Sequence, residues 1–174
     1  RATRPIADPV IPPADAESMV DLLTYEKGAA VLRMQEQFLG EDVFRNGVRH
    51  YLAAHLCGNT DNEDLWAALE EASGQPVGDL MEGWIFRGGH PLVEAVVSAS
   101  LDAEDTSCRL SQRPFRYLDE SVEQGHSSEG LFWQVPVRLR TTVGEHRVLL
   151  GAEPLDVLLD GPLLTVNSGA TGFH

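Results

Sequence analysis

Apolar positions along this chain change their period once, at Pro91. From Asp15 to about Phe86 they recur at helical spacing, and from Leu92 onward they fall into short alternating runs broken by turn residues. Residues 1–14 hold Pro5, Pro9, Pro12 and Pro13 with no helical period, and read as an extended lead-in lying on another surface. A short helical segment then runs through Leu23, and a longer helix is expected from Thr24, as its N-cap, to Leu39, where Gly40 breaks it. Along this helix Tyr25, Ala29, Leu32 and Glu36 share one stripe, while Val31, Gln35, Phe38 and Leu39 sweep a neighbouring face. Tyr25 is thereby expected at the exposed N-terminal end of a largely packed rod.

A second helix is expected from Glu41 to about His55, with Val43, Phe44, Val48, Tyr51, Leu52 and His55 on a buried stripe. After the loop Cys57-Gly58-Asn59, Thr60 with Glu63 forms a capping-box signature ahead of Leu65, Trp66, Leu69 and Ala72, and Ser73-Gly74 closes that helix. Val77, Leu80, Met81, Trp84 and Ile85 set the last helix, from Pro76 to Phe86, which ends on Arg87-Gly88-Gly89 before Pro91. Four helices with short joints imply an antiparallel helical array.

Beyond it, Leu92–Ala99, Cys108–Arg113, Leu131–Thr141, Arg147–Leu150, Val157–Leu159 and Leu163–Val166 carry the signature of a small antiparallel β-sandwich. In the central run Trp133, Val135, Val137 and Leu139 alternate with Gln134, Pro136, Arg138 and Arg140, so one face is expected buried and the other wet, with Pro136 at an edge or a bulge. Residues 119–130 read as a hairpin loop. The fold class expected is thus α+β, with residues 1–88 helical behind the lead-in and 89–174 forming the sandwich.

With 174 residues, 43% of them hydrophobic, the chain can bury a real core. Its net charge of -14 repels phosphate backbones and anionic lipid, which argues against nucleic-acid and membrane partners. Cys57 and Cys108 form neither a disulfide framework nor a metal knuckle, and a reducing, cytoplasmic setting is expected. The start at Arg1, without methionine or an apolar signal region, reads as a cut inside a longer protein.

Candidate chemistry is sparse. The sequence contains no His-Glu-x-x-His, and His50 and His55, five residues apart, diverge by about 140° on a helix, so they read as solvated or core histidines. Gly125-His126-Ser127-Ser128-Glu129-Gly130 lacks the spacing of a nucleophile elbow, and neither Gly88-Gly89 nor Gly169-Ala170-Thr171-Gly172 has the pattern of a phosphate cradle. Tyr25 remains. On periodicity alone it is an aromatic packed against a neighbour at a helix start, yet a phenol, with a reference pKa of about 10, keeps its proton at neutral pH and can donate to an oxyanion.

Thr24-Tyr25-Glu26-Lys27-Gly28-Ala29 closely resembles the tyrosine motif of the M1 family of zinc aminopeptidases. The resemblance continues in order through Phe38-Leu39-Gly40-Glu41, Asn59-Thr60 with Glu63-Asp64-Leu65-Trp66, Trp84-Ile85-Phe86 with Gly89-His90-Pro91, and Phe132 to Val137, ending at Leu164 to Asn167 with Gly172. It implies that Asp15 to about Phe86 forms the back of a thermolysin-like catalytic domain and that the following β-sandwich domain begins at Gly89 and lacks its last strand. It also implies that Tyr25 is a catalytic residue, donating to the oxyanion formed when zinc-bound water attacks a peptide carbonyl.

The family's zinc ligands, general base and Gly-x-Met-Glu-Asn amine-capturing motif are absent from this sequence. The resemblance therefore implies zinc in a full-length parent, with a peptide substrate and the remainder of the catalytic domain as partners, and no metal bound and no peptide hydrolysed by this chain alone. The alternative is a noncatalytic scaffold or protein-interaction module derived from such an enzyme.

Overall fold

The computed structural model describes residues 5–7, 22–99, 106–115, 131–170 and 172. Most of the proline-rich lead-in, the helical segment expected ahead of Leu22 and the loop expected at 119–130 lie outside the described residues. Among the described residues four helices precede two small antiparallel sheets, an α+β chain as the switch in period implies. The chain divides into two compact units, one within Pro5–Arg87 and one within Gly88–His174.

The described residues of the helical unit form α1 (Leu22–Leu39), α2 (Glu41–Ala54), α3 (Asn62–Ser73) and α4 (Val77–Phe86). Thr24 does not cap α1: Leu22 and Leu23 are already helical and continuous with it, so the threonine lies inside the helix. The buried stripe of α1 is Lys27, Val31, Met34 and Gln35, at i, i+4, i+7 and i+8. The Gln35 amide is fully buried, and both of its polar atoms lack a hydrogen-bond partner among the described residues.

The capping box of α3 sits one residue later than Thr60 and Glu63. Asp61 Oδ1 accepts the N–H groups of Glu63 and Asp64 at 3.0 and 3.3 Å, and the Asp64 carboxylate accepts the Asp61 N–H at 3.0 Å. A carboxylate is the stronger acceptor and is favoured by the positive end of the helix, so it displaces the neutral hydroxyl. Thr60 Oγ1 is instead 2.6 Å from the Tyr51 hydroxyl, bridging to α2. At the other end of α3, Gly74 takes the left-handed conformation (φ 65°) that closes the helix as expected.

Helices α2 and α3 meet at Gly47, where a Cβ would stand 2.8 Å from Leu69 Cδ2 and 3.2 Å from Leu69 Cα. Only a bare backbone fits there, and Leu69 is fully buried as a result. Val43, Phe44, Val48, Tyr51 and His55 flank this contact half-buried, but Leu52, expected in the same stripe, is 59% exposed. Five residues from Gly47, it points about 140° away from the contact. Val77, Leu80, Met81 and Trp84 of α4 complete the core, and Ile85 O accepts the N–H groups of Ile6 and Ala7 at 2.9 and 3.1 Å, which seats the buried Ile6.

The second unit holds β1 (Pro91–Ala99), β2 (Thr106–Pro114), β3 (Val135–Thr141), β4 (Glu145–Leu150), β5 (Leu155–Leu159) and β6 (Leu163–Val166). One sheet has the order β1-β2-β5 and the other β4-β3-β6, all pairs antiparallel. Cys108 and Leu110 of β2, with Val135, Val137 and Leu139 of β3, are fully buried, the alternation that a one-sided strand requires. The other face of β3 is drier than expected: Pro136 is buried, and Arg138 is half-buried and paired with Glu145.

Strand β3 is central, yet β6 joins it only from Leu139 onward, so Pro136 has its ladder partner, Leu149, in β4 alone. A residue without an N–H is tolerated on such a one-sided stretch. The strand expected from Leu131 begins at Val135, because the Gln112 side chain occupies the main-chain N–H and carbonyl of Trp133 and withdraws them from the ladder.

Candidate functional site

Tyr25 lies in the first described turn of α1 with its side chain 65% exposed. Ala29 and Leu32, one and two turns on, are exposed on the same face, and a Cβ added at Gly28 would meet nothing within 4 Å. Among the described residues the phenol therefore stands over an open surface of small and apolar residues. Such a hydroxyl can donate one hydrogen bond to an acceptor brought to that face.

The opposite face of α1 is held down. Lys27, only 4% exposed, donates from Nζ to the Arg87 carbonyl oxygen at 3.2 Å. Loss of solvation on burial pulls its pKa below the ordinary lysine value. Residue type alone assigns a lysine on a helix to solvent. Its i, i+4, i+8 relation to Val31 and Gln35 was the available signal.

The histidines among the described residues are engaged separately. His50 Nε2 is 3.2 Å from a Glu71 carboxylate oxygen, His55 Nε2 is 3.9 Å from Asp64, His146 Nε2 is 2.8 Å from Asp160, and the His90 ring stacks on Phe115 with centroids 4.8 Å apart. Among the described residues no group of three or more His, Cys, Asp or Glu is placed to hold a metal ion. The side chains described here thus do not fit a zinc site, and no chemical step is assigned to zinc on them. Cys57 is exposed and Cys108 buried, both as free thiols, and burial pushes the Cys108 thiol upward in pKa. Among the described residues no helix is long and apolar enough to cross a membrane.

Fold and site define an α+β chain that presents a tyrosine on an open helix face and carries no metal cluster among its described residues. Residues 1–84 match the Peptidase family M1 domain. The whole length is similar to aminopeptidases: 33% identical over 174 residues to probable aminopeptidase 1 of Saccharolobus solfataricus, covering 99% of this chain and 20% of that protein. It is 35% identical over 174 residues to the tricorn protease-interacting factor F2 of Thermoplasma acidophilum, with the same two shares, 99% and 20%. To the puromycin-sensitive aminopeptidase of Caenorhabditis elegans it is 32% identical over 191 residues, covering 100% of this chain and 18% of that protein. The chain belongs to the M1 peptidase family. It spans about a fifth of the length of these relatives.

Proposed function

We propose that this chain forms part of a zinc-dependent M1 aminopeptidase that removes N-terminal residues from peptides, and that Tyr25 supplies the hydrogen bond that stabilises the oxyanion at the scissile carbonyl. The observation that carries this reading is the exposed phenol on α1, within a motif that resembles the family's tyrosine motif. When the carbonyl carbon becomes tetrahedral, its oxygen gains charge that the planar substrate lacks, so a donor fixed beforehand favours the transition state over the ground state. Water activation falls to groups outside this sequence, since it contains no His-Glu-x-x-His. In this reading Asp15 to about Phe86 is the back of the catalytic domain. Residues 89–174 form a sandwich domain whose two layers are the two sheets, the Gln112 bridge between them being what supports the layering.

The test is Tyr25→Phe in the full-length zinc-loaded enzyme. Losing one preorganised oxyanion donor is worth about 3 to 4 kcal/mol, so kcat should fall roughly 10²- to 10³-fold with KM little changed. A variant with undiminished kcat overturns the role of Tyr25. The chain on its own is expected to hydrolyse no aminoacyl substrate, and turnover by the purified 174-residue chain would refute the division of labour.

A further inference from the structure

Tyr25 and Lys27 are two residues apart on α1, about 200° around the helix from one another, and their burial follows that geometry: one is 65% exposed and the other 4%. The lysine reaches 60 positions along the chain to Arg87, whose carbonyl lies just past the end of α4 in extended backbone (φ -112°, ψ 137°). Helix α4 is the most deeply seated element of its unit, with Val77, Leu80, Met81 and Trp84 at most 3% exposed. The end of such a helix is a fixed reference point. A cationic or neutral amine can donate to it, and placing that amine out of water costs free energy that an alkyl side chain at the same position would not incur.

We propose that Lys27 is a positioning residue for Tyr25: by fastening the back of α1 to the Arg87 carbonyl, it fixes the rotation of the helix about its axis and so the aim of the phenol. This rests on the reading of Tyr25 as the oxyanion donor. The leverage is geometric. A group about 6 Å from a helix axis moves by about 1 Å when the helix turns through roughly 10°, and a displacement of about 1 Å in a reacting geometry can cost about 10²-fold in rate. Lys27 itself faces away from the surface that Tyr25 occupies, so it acts through the helix and makes no contact with the substrate.

The experiment is a double-mutant cycle in the full-length zinc-loaded enzyme, with Lys27→Met, Tyr25→Phe and their combination assayed for kcat and KM on an aminoacyl substrate. Lys27→Met is expected to lower kcat about 10- to 100-fold with KM within about twofold, and to have almost no further effect once Tyr25 is phenylalanine. Lys27→Arg, which keeps a donor and a charge, should hold kcat within about threefold of the wild type. If Lys27→Met does not fold, Lys27→Gln carries the same comparison, because it retains an N–H donor on a shorter arm and should show an intermediate, equally coupled loss. An equal fold-loss in both tyrosine and phenylalanine backgrounds, or a rise in KM alone, overturns the positioning role. A wild-type kcat for Tyr25→Phe instead overturns the tyrosine reading on which it rests, so the two failures are told apart.

Discussion

Gln112 and Trp133 are joined by two hydrogen bonds across the two sheets: Gln112 Nε2 donates to the Trp133 carbonyl at 2.7 Å, and Gln112 Oε1 accepts the Trp133 N–H at 3.0 Å. The same Nε2 donates to the Gly151 carbonyl at 2.6 Å. One amide from β2 thereby satisfies the main chain just before β3 and just after β4, where the ladder of the second sheet has stopped.

Replacing Gln112 with leucine fills a similar volume but strands two carbonyls and one N–H. Leaving partly buried main-chain groups unpaired costs about 1 to 3 kcal/mol each when water cannot reach them, and here water can reach some. A loss of about 2 to 4 kcal/mol is expected, read as a lower denaturant midpoint at unchanged slope. An unchanged midpoint would mean that the bridge contributes no net stability.

The α3 cap yields a sharper comparison, because two adjacent residues compete for the same assignment. Asp61→Ala removes the acceptor of two helix N–H groups and is expected to cost about 1 kcal/mol. Thr60→Ala removes only the exposed hydrogen bond to Tyr51 and should cost less than about 0.5 kcal/mol. Thermal unfolding of the two variants side by side decides it, and a larger loss for Thr60→Ala would return the cap to the threonine.

That competition also shows where sequence reading stops. The change of period at Pro91 separated helices from strands, and Gly74 and the apolar positions of α4 fell where spacing placed them, because each rule acts on neighbours in sequence. Thr60 and Asp61 are both residue types that cap helices, the carboxylate being the stronger acceptor. The threonine is in addition engaged by Tyr51, nine residues away, a contact that the local pattern does not reveal. The start of β3 depends on Gln112, 21 residues before Trp133, and the exposure of Leu52 depends on a backbone contact centred on Gly47. Of the candidate site, Tyr25 was legible from its motif. For Lys27 only the face was legible, from its spacing to Val31 and Gln35, while the carbonyl that accepts from it lies 60 residues on.

Asp160 gives the chain an acid-sensitive clasp. Its Oδ1 is 2.8 Å from His146 Nε2 and accepts the Thr141 hydroxyl at 2.9 Å, while Thr141 Oγ1 accepts the N–H groups of Val143 and Gly144. The carboxylate thus ties the β3–β4 turn to the end of β5. The hydrogen bond with His146, and then that from Thr141, hold the Asp160 carboxyl below its ordinary value. Because the folded pKa is depressed, the stabilisation is complete above the unfolded value of about 3.9 and is lost as pH falls through the folded value. Asp160→Asn should therefore lower the melting temperature near pH 5, with the gap from wild type closing on acidification below about pH 4. The gap should also narrow in high salt, because the carboxylate is open to solvent. Some acid sensitivity should survive in Asp160→Asn, since Glu145 is likewise held low, chiefly by its hydrogen bond from Arg138 and then by that from Ser168. A melting-temperature gap that widens as pH falls below about 4 would contradict the assignment, because protonation of the carboxylate would then be strengthening the clasp that it is expected to release.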